Sequence, residues 1–124
     1  MKRFLSILIL LTGLVASNTP SALAHAELIA SNPKANAIVK VMPKHIWFEF
    51  GEKLMVIGDK NPNSISVADA QKHRVDLGRA VVNGARISTA LKSGLAAGKY
   101  FVSYRVVSED GHVVNGKLSF TFKP

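Results

Sequence analysis

The amino-acid sequence predicts a single all-β domain, folded as an antiparallel β-sandwich or a Greek-key barrel. Two observations favour this class. Apolar and polar side chains alternate with a period of two in several segments, and short candidate strands recur at regular spacing with turn residues between them. The length of 124 residues allows one domain and hardly two. The sequence shows no internal repeat, linker or low-complexity segment.

Three segments show the alternation most clearly: residues 45–50, 100–106 and 118–122. Each places apolar side chains at every second position, as in Ile46, Phe48 and Phe50. Only a pleated strand reverses the direction of its side chains at each residue, so each segment is predicted to be a half-buried strand. The aromatic side chains of Trp47, Tyr100 and Tyr104 are predicted to lie in the core.

Shorter strands are predicted between these segments, with turn residues separating them. Asn83-Gly84 has the composition of a type I′ hairpin turn, which requires positive φ angles. Only residues 88–97 have a pattern that would fit a helical turn, and Gly94 weakens it. The shorter candidate strands are residues 27–30, 38–41, 64–67, 74–77, 80–82 and 86–89.

The first 24 residues have the layout of a secretory signal peptide. Lys2 and Arg3 form a positive start, an apolar stretch covers residues 4–16, and Ala22-Leu23-Ala24 is an A-x-A cleavage site. As a helix the apolar stretch would rise only about 20 Å, less than a hydrocarbon core of about 30 Å, which argues against the alternative of an uncleaved anchor. We predict cleavage after Ala24, giving a mature domain of residues 25–124 in the bacterial periplasm.

Composition excludes several classes of function. The chain has no cysteine, so disulfide frameworks, thiolate metal sites and cysteine nucleophiles are excluded. The net charge is +8, but without Lys2 and Arg3 the mature chain carries 14 basic and 8 acidic residues. The basic residues are scattered and no RNA-binding strand motif is present, so nucleic acid is not predicted as a partner.

Cleavage after Ala24 would make His25 the first residue of the mature chain. An N-terminal histidine offers its α-amino nitrogen and its imidazole Nδ1 to one metal in a single chelate ring. The α-amine has a pKa of about 8 and readily loses its proton to a cation. Nitrogen-rich, tetragonal sites favour Cu(II). The alternative is that a histidine stands at this position by chance.

The second candidate metal-binding feature is Glu109-Asp110-Gly111-His112, which follows the longest predicted strand. Asp110 and His112 are two residues apart, so in an extended chain they project from the same face. A carboxylate oxygen and an imidazole nitrogen would complete an N₃O ligand set with the His25 pair. The alternative is a β-turn built on Asp-Gly, with His112 merely exposed.

Both ends of the mature chain resemble the CopC family of periplasmic copper-resistance proteins. The resemblance rests on His25-Ala26-Glu27-Leu28, on Ser31-Asn32-Pro33, and on the stretch from Gly98 to Phe122 that contains Ser108-Glu109-Asp110-Gly111-His112. It implies an immunoglobulin-like Greek-key β-sandwich or barrel of about seven antiparallel strands that binds Cu(II). The ligand positions that it implies are His25, Asp110 and His112. It also implies a CopD-type copper transporter of the inner membrane as a partner.

The chain departs from one branch of that family. Members that also hold Cu(I) carry a methionine-rich loop with a histidine, since soft thioethers suit Cu(I). Here the mature chain has only Met42 and Met55. We therefore predict a variant without the Cu(I) site, in which His73 is a solvated loop residue. Glu27 lies two residues from His25 and is a candidate outer ligand or hydrogen-bond acceptor.

Two other classes of function remain open on the sequence. A copper-dependent monooxygenase also uses an N-terminal histidine brace, but it needs a second histidine in the brace and an equatorial position that the Asp110 carboxylate would fill. A metal-free interaction domain would use the Asp-Gly-His segment only as a turn. No nucleophile-serine motif, H-E-x-x-H motif or phosphate loop is present, so the favoured prediction is a copper-binding protein that is not an enzyme.

Overall fold

The computed structural model describes residues 26–124, and this part of the chain folds into eight β-strands without a helix. The predicted signal peptide, its cleavage site and His25 lie outside the described residues. None of the described residues forms a helix long and apolar enough to span a bilayer. The strands are β1 (Leu28–Asn32), β2 (Ile38–Val39), β3 (His45–Phe50), β4 (Ser64–Asp69), β5 (Asp76–Asn83), β6 (Arg86–Leu91), β7 (Gly98–Val107) and β8 (Val113–Phe122).

The strands form two four-stranded sheets. The first sheet has the order β1-β3-β6-β5, and the second has the order β2-β8-β7-β4. This arrangement confirms the predicted all-β sandwich. Eight strands are described where the sequence predicted about seven, and one pairing is not antiparallel, because β2 runs parallel to β8. That pair is two residues long, with Ile38 opposite Thr121 and Val39 opposite Phe122.

The core lies between the inner faces of the two sheets. On β3 every second side chain, Ile46, Phe48 and Phe50, is buried as the alternation predicted. The second sheet contributes Tyr100, Val102, Val106 and Phe120 of β7 and β8 in the same way. Each fully buried side chain of this size stabilises the fold by about 1.5–3 kcal/mol, which is how a domain without disulfides holds its two sheets together.

The hairpin between β5 and β6 differs from the predicted one. Asn83 pairs with Arg86, so the loop consists of Gly84 and Ala85 rather than Asn83-Gly84. Gly84 has φ +62°, and no positive φ occurs at Asn83 or Ala85, whereas a type I′ turn needs two such residues. One strand, β5, takes in the predicted strand 80–82 and the second half of the predicted strand 74–77, with an irregularity between Asp76 and Ala80. The predicted strand 86–89 is confirmed and extends to Leu91, so residues 88–91, which could also have fitted a helical turn, are part of β6.

The aromatic residues divide between the core and the surface. Tyr100 is buried against Phe120, and Tyr104 is half-buried with its ring 4.6 Å from that of Phe48. Trp47 was predicted to be in the core, but it lies half-buried on the other side of β3 from Phe48. The guanidinium of Arg86 covers its ring at 3.9 Å, an arrangement that shields the indole from water without burying it between the sheets.

Gly116 of β8 pairs with Tyr104 of β7. A Cβ atom at position 116 would overlap the Tyr104 ring, with Cε1 only 2.6 Å away. The glycine therefore provides the room that lets Tyr104 lie across β8 and reach the phenylalanines of the first sheet.

Candidate metal centre

One end of the sandwich, here called the site end, brings together chain segments that are distant in sequence. β1 begins there, because Leu28 pairs with Phe50 at the end of β3. The segment that follows β3 lies next to the end of β7, because Leu54 forms an isolated β-bridge with Ser108. The start of the described chain and the segment 108–112 therefore lie at the same end of the domain.

Residues 108–112 form a tight turn between β7 and β8, here called the 108–112 turn. The Ser108 N–H donates to the His112 carbonyl at 2.9 Å, and the Gly111 N–H donates to the Ser108 carbonyl at 2.9 Å. Gly111 has φ +88°, a conformation that strains any residue with a Cβ atom. The predicted Asp-Gly turn is thus the correct description of the backbone here, in place of an extended chain.

The turn nevertheless brings the two predicted ligand side chains together. Asp110 Oδ2 lies 2.7 Å from His112 Nδ1. Asp110 Oδ1 accepts hydrogen bonds from the Ser108 hydroxyl and from the His112 N–H, the latter at 3.1 Å. Both side chains remain accessible, with 38% of Asp110 and 51% of His112 exposed. A carboxylate and an imidazole are therefore presented side by side at the surface.

The hydrogen bonds to Asp110 favour its charged form. The Ser108 hydroxyl, together with the ring and backbone N–H of His112, lowers the pKa of the Asp110 carboxyl to about 2. Protons therefore do not compete for this carboxylate anywhere between pH 4 and neutrality. At those pH values the turn presents a permanently anionic oxygen donor next to an imidazole, which is a chemistry suited to a divalent cation.

Two buried polar residues hold the turn in place. Ser108 is fully buried. Asn63, which is 5% exposed, accepts the Val107 N–H at 2.7 Å and donates to the Met55 carbonyl at 2.8 Å. Asn63 could not be identified from local sequence patterns, because it lies in a polar loop and contacts β7 only through the tertiary fold. The Glu109 N–H also donates to the Lys53 carbonyl, so the turn is tied to the segment after β3.

Within residues 26–124 no three histidine, cysteine, aspartate or glutamate side chains form a group that could hold a metal ion. Asp110 and His112 are a pair, and the predicted third residue, His25, lies outside the described residues. The chain that follows it is fixed at the site end. Ala26 is 2% exposed, and the Glu27 carbonyl accepts the Gly51 N–H at 2.8 Å. The Glu27 side chain is exposed.

The other two described histidines lie at the opposite end of the sandwich. His45 begins β3, and His73 follows β4, whose end at Asp69 pairs with Tyr100 near the start of β7. The His73 ring is 77% exposed and lies 3.3 Å from the Asp69 carboxylate. These positions agree with the prediction that His73 is a solvated loop residue, and the fold does not bring either histidine to the 108–112 turn.

Comparison with known proteins identifies the family. Residues 28–123 match the model of the CopC domain. The chain belongs to the CopC family. It is 34% identical over 125 residues to Protein YobA of Escherichia coli strain K12, covering 95% of this chain and 92% of that protein. It is 33% identical over 120 residues to Copper resistance protein C of Escherichia coli, covering 93% of this chain and 94% of that protein.

The fold of this CopC-family chain is also that of a solved relative. The crystal structure of CopC from Methylosinus trichosporium OB3b superposes with a TM-score of 0.70 at 31% identity, covering 81% of this chain and 95% of that one. The resemblance noted from the two ends of the mature sequence is therefore confirmed at the level of family and fold.

Proposed function

We propose that this CopC-family chain is exported, cleaved after Ala24, and binds one Cu(II) ion in the periplasm, where it sequesters copper or delivers it to a transporter. The proposed ligands are the α-amine and Nδ1 of His25, the Asp110 carboxylate and the His112 imidazole. The observation that carries the proposal is the 108–112 turn, which holds Asp110 and His112 together at the end of the sandwich where the described chain begins.

The donor chemistry supports Cu(II) as the cargo. Three nitrogens and one carboxylate oxygen match the tetragonal preference of Cu(II), and the anionic Asp110 offsets part of its charge. Soft ligands suited to Cu(I) are few among the described residues. Met55 lies at the site end, whereas Met42 precedes β3 at the opposite end. The names of relatives such as Copper resistance protein C point to the same metal.

The test is a Cu(II) titration, followed by electron paramagnetic resonance, of two forms of the mature protein. One begins at His25 with a free α-amine, and in the other that α-amine is acetylated. Because acetylation removes the amine donor and creates no new terminal amine, we expect the acetylated form to bind about 30- to 100-fold more weakly and to lose its nitrogen-rich tetragonal spectrum. The form with the free α-amine should bind one equivalent.

The titration separates the components of the proposal. Equal binding by both forms would remove the α-amine from the ligand set. Absence of binding above background in both would exclude copper and favour a metal-free interaction domain. A zinc titration of the same pair serves as the control for selectivity, because tetrahedral Zn²⁺ gains less from a planar set of donors.

We expect Ser108→Ala to weaken Cu(II) binding by about tenfold, because the Ser108 hydroxyl orients the Asp110 carboxylate. The same change removes the largest contribution to the low pKa of Asp110, so that pKa should rise toward the ordinary value of 3.8. Carboxyl-carbon NMR on the metal-free protein measures this shift independently of copper. Ser93→Ala, at an exposed serine of the opposite end, is the control.

A Ser108→Ala protein in which neither the copper affinity nor the Asp110 pKa changes would show that the serine only fills space. A loss of thermal stability alone would lead to the same conclusion.

A further inference from the structure

The outer face of the second sheet gathers basic side chains that are scattered in the sequence. Lys99 and Arg105 of β7 and Lys117 of β8 are exposed, and each lies at an outward-facing position of its strand. Lys123 directly follows β8 at the next outward position and is also exposed. This surface is called the basic face below.

Within residues 26–124, no carboxylate forms an ion pair with the basic face. Among the described residues, Lys99, Arg105 and Lys117 take part in none of the ion pairs. The only acidic residue in the four strands of this sheet is Asp69. Its carboxylate is already bonded to the N–H groups of Gln71 and His73 and lies beside the His73 ring. The face therefore carries an unbalanced positive potential that attracts anions.

The basic face is also concave. Small side chains, among them Ser66, Ala68, Ser103 and Ser119, form the floor of a groove of about 560 Å³. Phe101, which is 47% exposed, Lys117 and Asn36 also line this groove. Asn36 is held there by its N–H, which donates to the Ser119 carbonyl at 2.7 Å.

The groove continues along the sheet toward the site end. A second depression shares Ser66, Ser103 and Lys117 with the first and extends to Arg105 and Asn115. Arg105 is oriented by its hydrogen bond to the Pro62 carbonyl at 3.2 Å. Arg105 is three residues before Ser108, which places it roughly 10 Å along β7 from the 108–112 turn.

We infer that the basic face is a docking surface for an extended acidic segment of a partner protein. Serine hydroxyls on the floor offer hydrogen bonds to a backbone, and the cations at the rim pair with aspartate or glutamate side chains. A polypeptide fits this shape better than a bilayer does, because a bilayer requires several protruding apolar side chains. Among the residues that line the groove only Phe101 is large, apolar and exposed, although Ile38 of β2 and Val113 of β8 are exposed elsewhere on the sheet. The inference stands on charge and shape and does not depend on the metal.

The probe for the test is an acetylated and amidated hexaglutamate peptide, titrated into the mature protein by calorimetry and by amide NMR. We expect saturable binding at about 20 mM salt that weakens at least about fivefold at 150 mM, because exposed charges are screened. The perturbed amides should lie in β4, β7 and β8. The double variant Arg105→Glu/Lys117→Glu should bind at least about tenfold more weakly.

Two further variants make the test specific. Lys44→Glu/Arg79→Glu changes the net charge by the same amount at exposed positions outside the second sheet, and it should change the affinity less than about twofold. Ser103→Phe fills the groove without changing the charge, and phenylalanine is well accommodated in a strand. It should weaken binding at least about fivefold if the peptide lies in the groove.

If the two double variants weakened peptide binding equally, the inference would be overturned, because the binding would then depend on the net charge of the protein and not on the basic face. Amide perturbations confined to other strands would also overturn it. So would binding to vesicles of phosphatidylglycerol without binding to the peptide, because that result would assign the face to a membrane.

Discussion

We expect the His112→Ala variant of the mature protein to bind Cu(II) at least about 1,000-fold more weakly than the parent, because the change removes a ligand and also disturbs its neighbour. The His112 ring lies 2.7 Å from Asp110 Oδ2, so its loss also removes one of the contacts that position the carboxylate. A competition titration against a chelator of known affinity measures the change. Asp110→Asn should have a smaller effect, of about 100-fold, since the amide keeps the shape but not the charge.

The controls for this prediction are His45→Ala and His73→Ala. Both imidazoles are exposed and lie at the opposite end of the sandwich, so each variant should retain the parent affinity. An affinity that falls as much in either control as in His112→Ala would show that copper binds to exposed histidines without a defined site. Unchanged affinity in His112→Ala would place the metal away from the 108–112 turn.

The second large effect concerns stability and the buried carboxylate of Asp76. We expect Asp76→Ala to lower the free energy of unfolding by about 3 kcal/mol, because it leaves the buried Val67 N–H and the partly buried Gly78 N–H without acceptors. Asp76 Oδ2 accepts from the Val67 N–H of β4, and Oδ1 accepts from the Gly78 N–H, both at 2.8 Å. The side chain is fully buried and thus joins an edge of the second sheet to an edge of the first. Urea unfolding of the metal-free protein measures the change.

The pH dependence of stability tests the same residue. Burial alone would raise the pKa of Asp76, but the hydrogen bonds from Arg74, Val67 and Gly78 outweigh it, and the pKa is lowered from 3.8. The stabilisation by this group is therefore complete above pH 3.8 and is lost as the pH falls through the lowered pKa. The stability difference between the parent and Asp76→Ala should shrink correspondingly in acid.

Two further variants control the Asp76 prediction. Arg74→Ala should cost less than Asp76→Ala, because the Arg74 side chain is 57% exposed and the two backbone donors keep their acceptor. Asp59→Ala, at an exposed loop position, should have no measurable effect. If Asp59→Ala and Asp76→Ala were equally mild, the carboxylate would not be joining the two sheets.

The alternation of apolar and polar residues predicted the strands in which every second side chain is buried. β3 spans His45–Phe50 as predicted, because Ile46, Phe48 and Phe50 are all buried and a shift of one residue would expose them. The parallel pairing of β2 with β8 could not be predicted in this way, because it joins segments about 80 residues apart. The predicted loop of the β5–β6 hairpin, Asn83-Gly84, begins one residue too early. Asn83 is instead paired with Arg86, so the loop is Gly84-Ala85 despite the turn preference of Asn-Gly.

The candidate site, like the fold, was predictable only where neighbouring residues in the sequence form it. The spacing of Asp110 and His112 predicted that the two side chains would be neighbours, and they are, although through a turn and not through a strand. The support from Asn63 was not predictable, because it depends on contacts between residues 44 positions apart. The role of His25 remains a prediction.

The anchoring of the chain at Ala26 and Glu27 has a consequence for the order of events during export. A peptidase that cuts after Ala24 has to bind the residues on both sides of that bond as an extended strand. In the folded domain Ala26 is buried and the Glu27 carbonyl is bonded to Gly51, so these residues are no longer available to a protease. Under the proposed cleavage, the leader is therefore removed most readily before β1 joins the first sheet. In a precursor that folded first, the peptidase would have to wait until the residues before β1 detach from the sheet.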